Sequence, residues 1–150
     1  MTPSRRHGAP LAAMALAALA ASVALAGCVP APAAAPPGAA APGYVQILRA
    51  SEVDLWRAAN RDAVTLDVRD PAEWSGAPVP LLIEAVQIPL PELETRLGEV
   101  EPFRSRTVLV LCQTGLRAQS AAQLLSRKGF RDVAWVDGGI DAYRRWLESR

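Results

Sequence analysis

Val108 to Leu111 is an unbroken apolar run that ends at Cys112, and helical spacing begins at Ala118. Only the short stretch Cys112-Gln-Thr-Gly-Leu-Arg117 separates the two. An apolar run without alternation reads as a strand covered on both faces, which demands a parallel sheet layered between helices. The remaining segments fit that demand. Val45 to Leu48 reads as a short strand, and Ser51-Glu-Val-Asp54 as a capping-box variant opening a helix through Asn60. Val64 to Val68 is a second strand, after which Asp70-Pro71 supplies a cap and a first-turn proline for a short helix around Glu73 and Trp74. Gly76 to Ile83, which holds Pro78 and Pro80, reads as irregular, and Ala85 to Ile88 as a third, brief strand. Pro91 to Val100 reads as a helix, Thr107 to Leu111 as the central strand, and Ala118 to Lys128 as a helix with Gly129 at its C′ position. Val133 to Val136 is the last strand and Ile140 to Leu147 the closing helix. The alternation predicts an α/β three-layer fold with a central, mostly parallel five-stranded sheet and helices on both faces.

Ligands of such sheets bind beyond the C-terminal ends of the strands, and Cys112 sits at one. Backbone N–H groups of a tight strand-to-helix turn converge with the positive end of the following helix. A thiol placed there is favoured as the nucleophilic thiolate. Cys112 is therefore the expected nucleophile, with the residues from Gln113 through Thr114, Gly115, Leu116 and Arg117 to Ala118 binding substrate. Gly115 is expected to permit a positive φ or a close backbone approach. A cation at a helix N-terminus opposes the dipole, so Arg117 is read as facing an anion. Asp67 and Arg69 close the second strand near the same rim, either as an ion pair with each other or as support for the loop. Asp137-Gly138-Gly139 is read as shaping the turn into the last helix. Trp56, Trp135 and Trp146 are read as core, and Trp74 as a candidate wall of the pocket.

His7 is the only histidine of the 150 residues, so the folded part of the chain can build neither a Ser-His-Asp triad, a Cys-His pair nor a histidine metal site. Cys28 and Cys112 are the only cysteines, too few for a structural zinc shell. No metal and no cofactor are expected. The N-terminal segment explains Cys28. Arg5 and Arg6 precede an apolar run, Leu11 to Ala26, of secretory-signal length, and the run ends in Leu25-Ala26-Gly27-Cys28. Those four residues resemble the bacterial lipobox, in which the cysteine becomes the lipidated first residue of the mature protein. The domains expected are thus a signal peptide at 1–27, a lipidated Cys28 with a Pro/Ala-rich tether at 28–43, and a folded domain at 44–150. Between Val29 and Gly43 five of fifteen residues are proline, and such chain extends about 3.1 Å per residue, or roughly 45 Å in all. Removing residues 1–27 takes away Arg5 and Arg6 but no acid, which moves the formal charge from +1 to −1. A nearly neutral domain argues against nucleic acid as a partner. The expected setting is the cell envelope, as a periplasm-facing lipoprotein held at a membrane through Cys28, with Val29 favouring the outer membrane over the inner. A monomer is expected.

Leu66-Asp-Val-Arg-Asp-Pro-Ala-Glu73, Ala85-Val-Gln-Ile-Pro89, Cys112-Gln-Thr-Gly-Leu-Arg117 and Val136-Asp-Gly-Gly-Ile140 follow one another in the order seen in rhodanese domains. Tyr44 to Arg150 resembles that family throughout. The resemblance implies a rhodanese-like fold and a sulfurtransferase. Cys112 would take sulfane sulfur from a donor such as thiosulfate or a polysulfide, carry it as a persulfide, and pass it to cyanide or a thiol. Four residues lie between Cys112 and Arg117, as in rhodaneses, whereas the related phosphatases have five; loop length by itself leaves arsenate-reducing relatives open. Two departures bear on substrate. Gln113 stands where many active rhodaneses carry Arg or Lys, and Pro80-Leu-Leu-Ile-Glu84-Ala85 replaces a Gly-His-Ile-Pro-Gly-Ala type of segment. The second reading is a non-catalytic rhodanese-like module of the cell envelope that binds a partner or a sulfur species.

Overall fold

The computed structural model describes residues 43–76 and 79–150. The signal segment, Cys28 and the tether through residue 42 lie outside the described residues. Eight regular elements follow in chain order: β1 (Tyr44–Leu48), α1 (Val53–Ala59), β2 (Val64–Asp67), β3 (Val86–Gln87), β4 (Thr107–Leu111), α2 (Leu116–Arg127), β5 (Asp132–Val136) and α3 (Gly139–Glu148). The five strands form one sheet in the order β1-β5-β4-β2-β3, every neighbouring pair parallel.

The apolar run Val108 to Leu111 occupies the middle of this sheet, paired with β2 through Leu66↔Val110 and with β5 through Val110↔Trp135. Its side chains alternate between two cores. Val108 and Val110 join Leu66, Val133 and the α2 residues Ala118, Ala121, Ala122 and Leu125 on one face. That spacing is one stripe of a helix, and its alanines let α2 lie close against the strands. Leu109 and Leu111 join Ala134, Val136, Val53 of α1, and Ile140 and Tyr143 of α3 on the other face. Trp135 is in the first core, while Trp56 and Trp146 lie partly buried against the second.

The turn from α2 into β5 closes as its sequence predicts. Gly129 takes φ +87° at C′, its N–H bonds the Ser126 carbonyl at 3.0 Å, and the Phe130 N–H reaches the Leu125 carbonyl at 3.1 Å. With Phe130 and Leu125 both in the first core, this is a complete Schellman motif with its hydrophobic contact.

Two expected elements are corrected. Pro91 to Val100 is not one helix but two separate 3-10 turns, Leu90–Glu92 and Leu97–Glu99. The Thr95 hydroxyl donates to the Glu92 carbonyl at 2.9 Å, and the Arg96 guanidinium grips Glu92 and Glu99. The Thr95 bond competes with the helical ladder for the Glu92 carbonyl, and Gly98 weakens the stretch beyond it. The capping box expected at Ser51 to Asp54 forms two residues earlier, at Arg49 to Glu52. Glu52 accepts from the Arg49 N–H at 2.8 Å, the chain passes through a 3-10 turn at Ala50–Glu52, and Asp54 instead accepts from the Tyr143 hydroxyl at 2.6 Å. Burial and that hydrogen bond push the Tyr143 hydroxyl up to about 12.

β4 continues through α2 to β5, while β2 continues through residues whose Val79 and Leu81 enter the opposite core on the way to β3. The two connections thus pack on opposite faces of the sheet, the arrangement at whose C-terminal edge such sheets place their ligands. Phe130→Ala should lower stability by about 3–5 kcal/mol, because it removes a fully buried ring and the contact that closes the α2 cap. A denaturant midpoint within error of the parent would show that the cap is not anchored by that side chain.

Candidate active site

Cys112 follows the last residue of β4 and has no accessible surface. Gly115, three residues on, adopts φ +93°, where a Cβ would come within 3.0 Å of the Val136 carbonyl oxygen and the Gly138 nitrogen. This is the positive φ expected of it. The turn sends the Gly115 N–H back to Cys112 Sγ at 3.1 Å, and the Ala118 N–H from the first turn of α2 reaches the same sulfur at 3.3 Å. The amides of Leu116 and Arg117, in that first turn, have no acceptor among the described residues. The sulfur therefore sits in an amide cup at the positive end of α2.

The loop's carbonyls are held from outside. Ile140 N–H, at the start of α3, donates to the Cys112 carbonyl at 3.0 Å, and Asp141 N–H donates to the Gln113 carbonyl at 3.1 Å. Gly139 makes this approach possible. A Cβ there would lie 2.5–2.6 Å from the Cys112 and Gln113 oxygens and the Gly115 nitrogen, and its φ is +61°. Gly138-Gly139 thus does more than shape a turn, the role its sequence suggested. Two glycines between a strand end and a helix start were the available sign of a close backbone approach.

Arg117 does not stand free over the loop. Its Nη1 donates to Glu73 Oε2 at 2.6 Å and to Asp70 Oδ2 at 2.8 Å, and its Nη2 to Glu73 Oε1 at 2.7 Å. Glu73 also accepts from the Asp70 N–H at 2.8 Å, which caps the 3-10 turn Pro71–Glu73. The Arg117 hydrogen bond holds the Glu73 carboxyl down from 4.5 to about 2 against the opposing effect of burial, helped by the Asp70 amide and the charges of Arg117 and Arg69. The same hydrogen bond raises Arg117, with smaller help from the charges of Cys112 and Asp70.

Asp67 and Arg69 pair with each other. Both are buried, at 0% and 4% exposure, and joined by Nε contacts of 3.0 and 3.1 Å and an Nη2 contact of 2.8 Å. Arg69 Nη1 then donates to the Glu73 carbonyl at 2.9 Å, so the buried pair carries the turn that carries the Arg117 partner. Of the remaining expected site residues, Gly115 and Ala118 are buried in the cup, Gln113 is half-buried with its side-chain amide on Asp141, and Thr114 and Leu116 face solvent. Trp74 is half-buried beside Arg69, and its indole N–H is buried with no partner. Sequence reasoning missed Asp70 and Glu73 as the arginine's partners, although both sit in the Asp67 to Glu73 run. The altered segment Pro80 to Ala85 does not bring Glu84 to the cup. Glu84 adopts φ +62° in the place of a glycine and lines a cleft with Val64, Arg57 and Arg106, at the N-terminal end of β2. Among the described residues no cluster of His, Cys, Asp and Glu has the arrangement of a metal site.

Residues 51–145 match the family described as Rhodanese-like domain. A probable adenylyltransferase/sulfurtransferase of Mycobacterium tuberculosis, MoeZ, is 29% identical over 93 residues, which cover 62% of this chain and 23% of MoeZ. The chain therefore spans about a quarter of that relative. An uncharacterized protein of Bacillus subtilis, YqhL, is 30% identical over 101 residues, covering 67% of this chain and 74% of YqhL. Among solved structures, reduced Bacillus anthracis CoADR-RHD superposes with a TM-score of 0.58 at 33% identity, covering 71% of this chain and 18% of that one.

Because the folded-state value of Glu73 is depressed, its contribution to stability is full above about pH 4.5 and is lost as pH falls toward about 2. Glu73→Gln should lower stability at neutral pH by about 1 kcal/mol and flatten the acid limb across that window. Urea midpoints over a pH series check this, and parallel profiles for the two proteins would assign the acid limb to another group.

Proposed function

The chain belongs to the rhodanese-like domain family, and on that footing we propose that it is a sulfurtransferase whose sulfur is carried on Cys112. The observation that supports this reading is the cup: a strand-end thiol with the Gly115 and Ala118 amides on its sulfur and further unpaired amides in the same helical turn. Such donors stabilise a thiolate and, after transfer, a persulfide. Sulfane transfer needs no proton to be moved in the attacking step, so the absence of a histidine among the described residues is no obstacle.

The Cys112 thiolate attacks the outer sulfur of the donor, the donor's S–S bond breaks, and its inner sulfur departs with the bonding pair. An acceptor thiolate or cyanide then attacks the outer sulfur of the Cys112 persulfide and restores the thiolate. Arg117, held by Glu73 and Asp70, fixes the first turn of α2 against the turn after β2. The Asp67–Arg69 pair supports that second turn from below. The small substrates are a sulfane-sulfur species and a thiophilic acceptor, with no cofactor required. The lipobox-like Leu25 to Cys28 supports placing this chemistry at the cell envelope, on a lipid anchor at Cys28.

Incubating the protein with sulfane donors and measuring intact mass should reveal an adduct of about 32 Da per sulfur that is absent from Cys112→Ser. No adduct from any donor, with Cys112 also inert to iodoacetamide, would favour the non-catalytic module, a reading consistent with the complete burial of the thiol. For the anchor, Cys28→Ser should shift the protein from the membrane fraction to the soluble periplasmic fraction. An unchanged distribution would sink the lipoprotein assignment.

A further inference from the structure

Resting on the sulfurtransferase reading, we propose that the Cys112 cup selects donors that arrive with little negative charge and an organic body, hydropersulfides RS–SH, over dianionic thiosulfate. The first ground is the charge around the cup. The segments 67–73, 112–118 and 137–141 around it carry two cations, Arg69 and Arg117, and five acids, Asp67, Asp70, Glu73, Asp137 and Asp141. Neither cation is left to meet a substrate anion. Arg69 is spent on Asp67 and the Glu73 carbonyl. Arg117 is held by Glu73 and Asp70 together, so the three side chains sum to one negative charge. Position 113 brings a neutral amide, and that amide is turned to Asp141. A dianion would therefore meet amide dipoles inside the cup but an excess of carboxylates at its mouth.

The second ground is independent of charge. Leu116, which follows Gly115 at the start of α2, is 72% exposed. A leucine left in water one residue from the cup gives an organic substituent an apolar surface to lie on, and thiosulfate has no such part. The step balances without an added oxidant. Cys112–S⁻ attacks the outer sulfur of RS–SH, the new S–S bond forms as the donor's S–S bond breaks, and RS⁻ leaves with the electron pair and takes a proton from water. The corresponding thiosulfate step would release sulfite, whose double charge must leave through the same acidic mouth.

The test follows persulfide loading of Cys112 in the full chain by intact mass against time, with cysteine hydropersulfide and with thiosulfate, from about 20 to about 300 mM salt. Loading by the hydropersulfide should be faster by about a hundredfold or more and nearly independent of salt, whereas thiosulfate loading should accelerate as salt screens the acids. Asp137→Asn removes one exposed carboxylate that holds no part of the cup, and should speed thiosulfate about tenfold while leaving the hydropersulfide within about twofold. Thiosulfate loading that slows with salt, or an Asp137→Asn variant with an unchanged ratio of the two rates, would overturn the selection while leaving sulfur transfer intact. Loading by neither donor removes the sulfurtransferase reading itself, and the selection with it.

Discussion

Two hydrogen bonds from α3 decide what the Cys112 loop can be. A peptide group cannot turn its carbonyl one way without turning its N–H the other. By taking the Cys112 and Gln113 carbonyls onto the Ile140 and Asp141 amides, α3 holds those two oxygens outward and fixes the peptide planes that carry the Gln113 and Thr114 N–H groups. The next peptide along supplies the Gly115 N–H, and the first turn of α2 the Ala118 N–H, that reach Sγ. The loop is thus positioned by three elements at once: β4 before it, α2 after it, and α3 across it. Gly139 is what allows the third to come near enough.

The electrostatics are arranged in series. The Asp67–Arg69 pair is fully enclosed, a situation in which desolvation consumes much of what the attraction returns. Its value lies in where it puts other groups. Arg69 reaches past Asp67 to the Glu73 carbonyl, which sets the 3-10 turn, and the turn presents Glu73 and Asp70 to Arg117. Arg69 and Arg117 are both engaged by neighbouring acids and carbonyls, and what meets the sulfur directly is the neutral dipoles of the backbone.

Much of this was readable from residue order alone. The unbroken run Val108 to Leu111, the helical spacing after it and Gly129 located the central strand, α2 and its cap, because each depends on neighbours a few positions away. Gly115 was legible for the same reason, since only a positive φ fits a turn that short. What escaped depends on distant partners. Arg117 was read as facing an anion; the structure gives it the carboxylates of Asp70 and Glu73, more than forty residues earlier, which nothing local distinguishes from an anionic substrate. The segment Pro91 to Val100 has helical apolar spacing, yet the Thr95 hydroxyl takes the Glu92 carbonyl and Gly98 follows three residues on, so the helix does not propagate. Glu84 looked like a substrate determinant because a glycine is usual in its place; it keeps the left-handed backbone and points the question to the other end of the sheet.

The contact between α3 and the Cys112 loop also acts as a ruler. Ile140 and Asp141 are consecutive, and so are the carbonyls they meet, which leaves one spacing at which both bonds can be made. An insertion between Cys112 and Arg117 would have to bulge away from Gly139, whose neighbourhood has no room for even a methyl group. The sulfur's cradle is thus walled on one side by a helix that contributes no atom to it, and a wider ring for a bulkier tetrahedral oxyanion would have to grow on the side away from that helix.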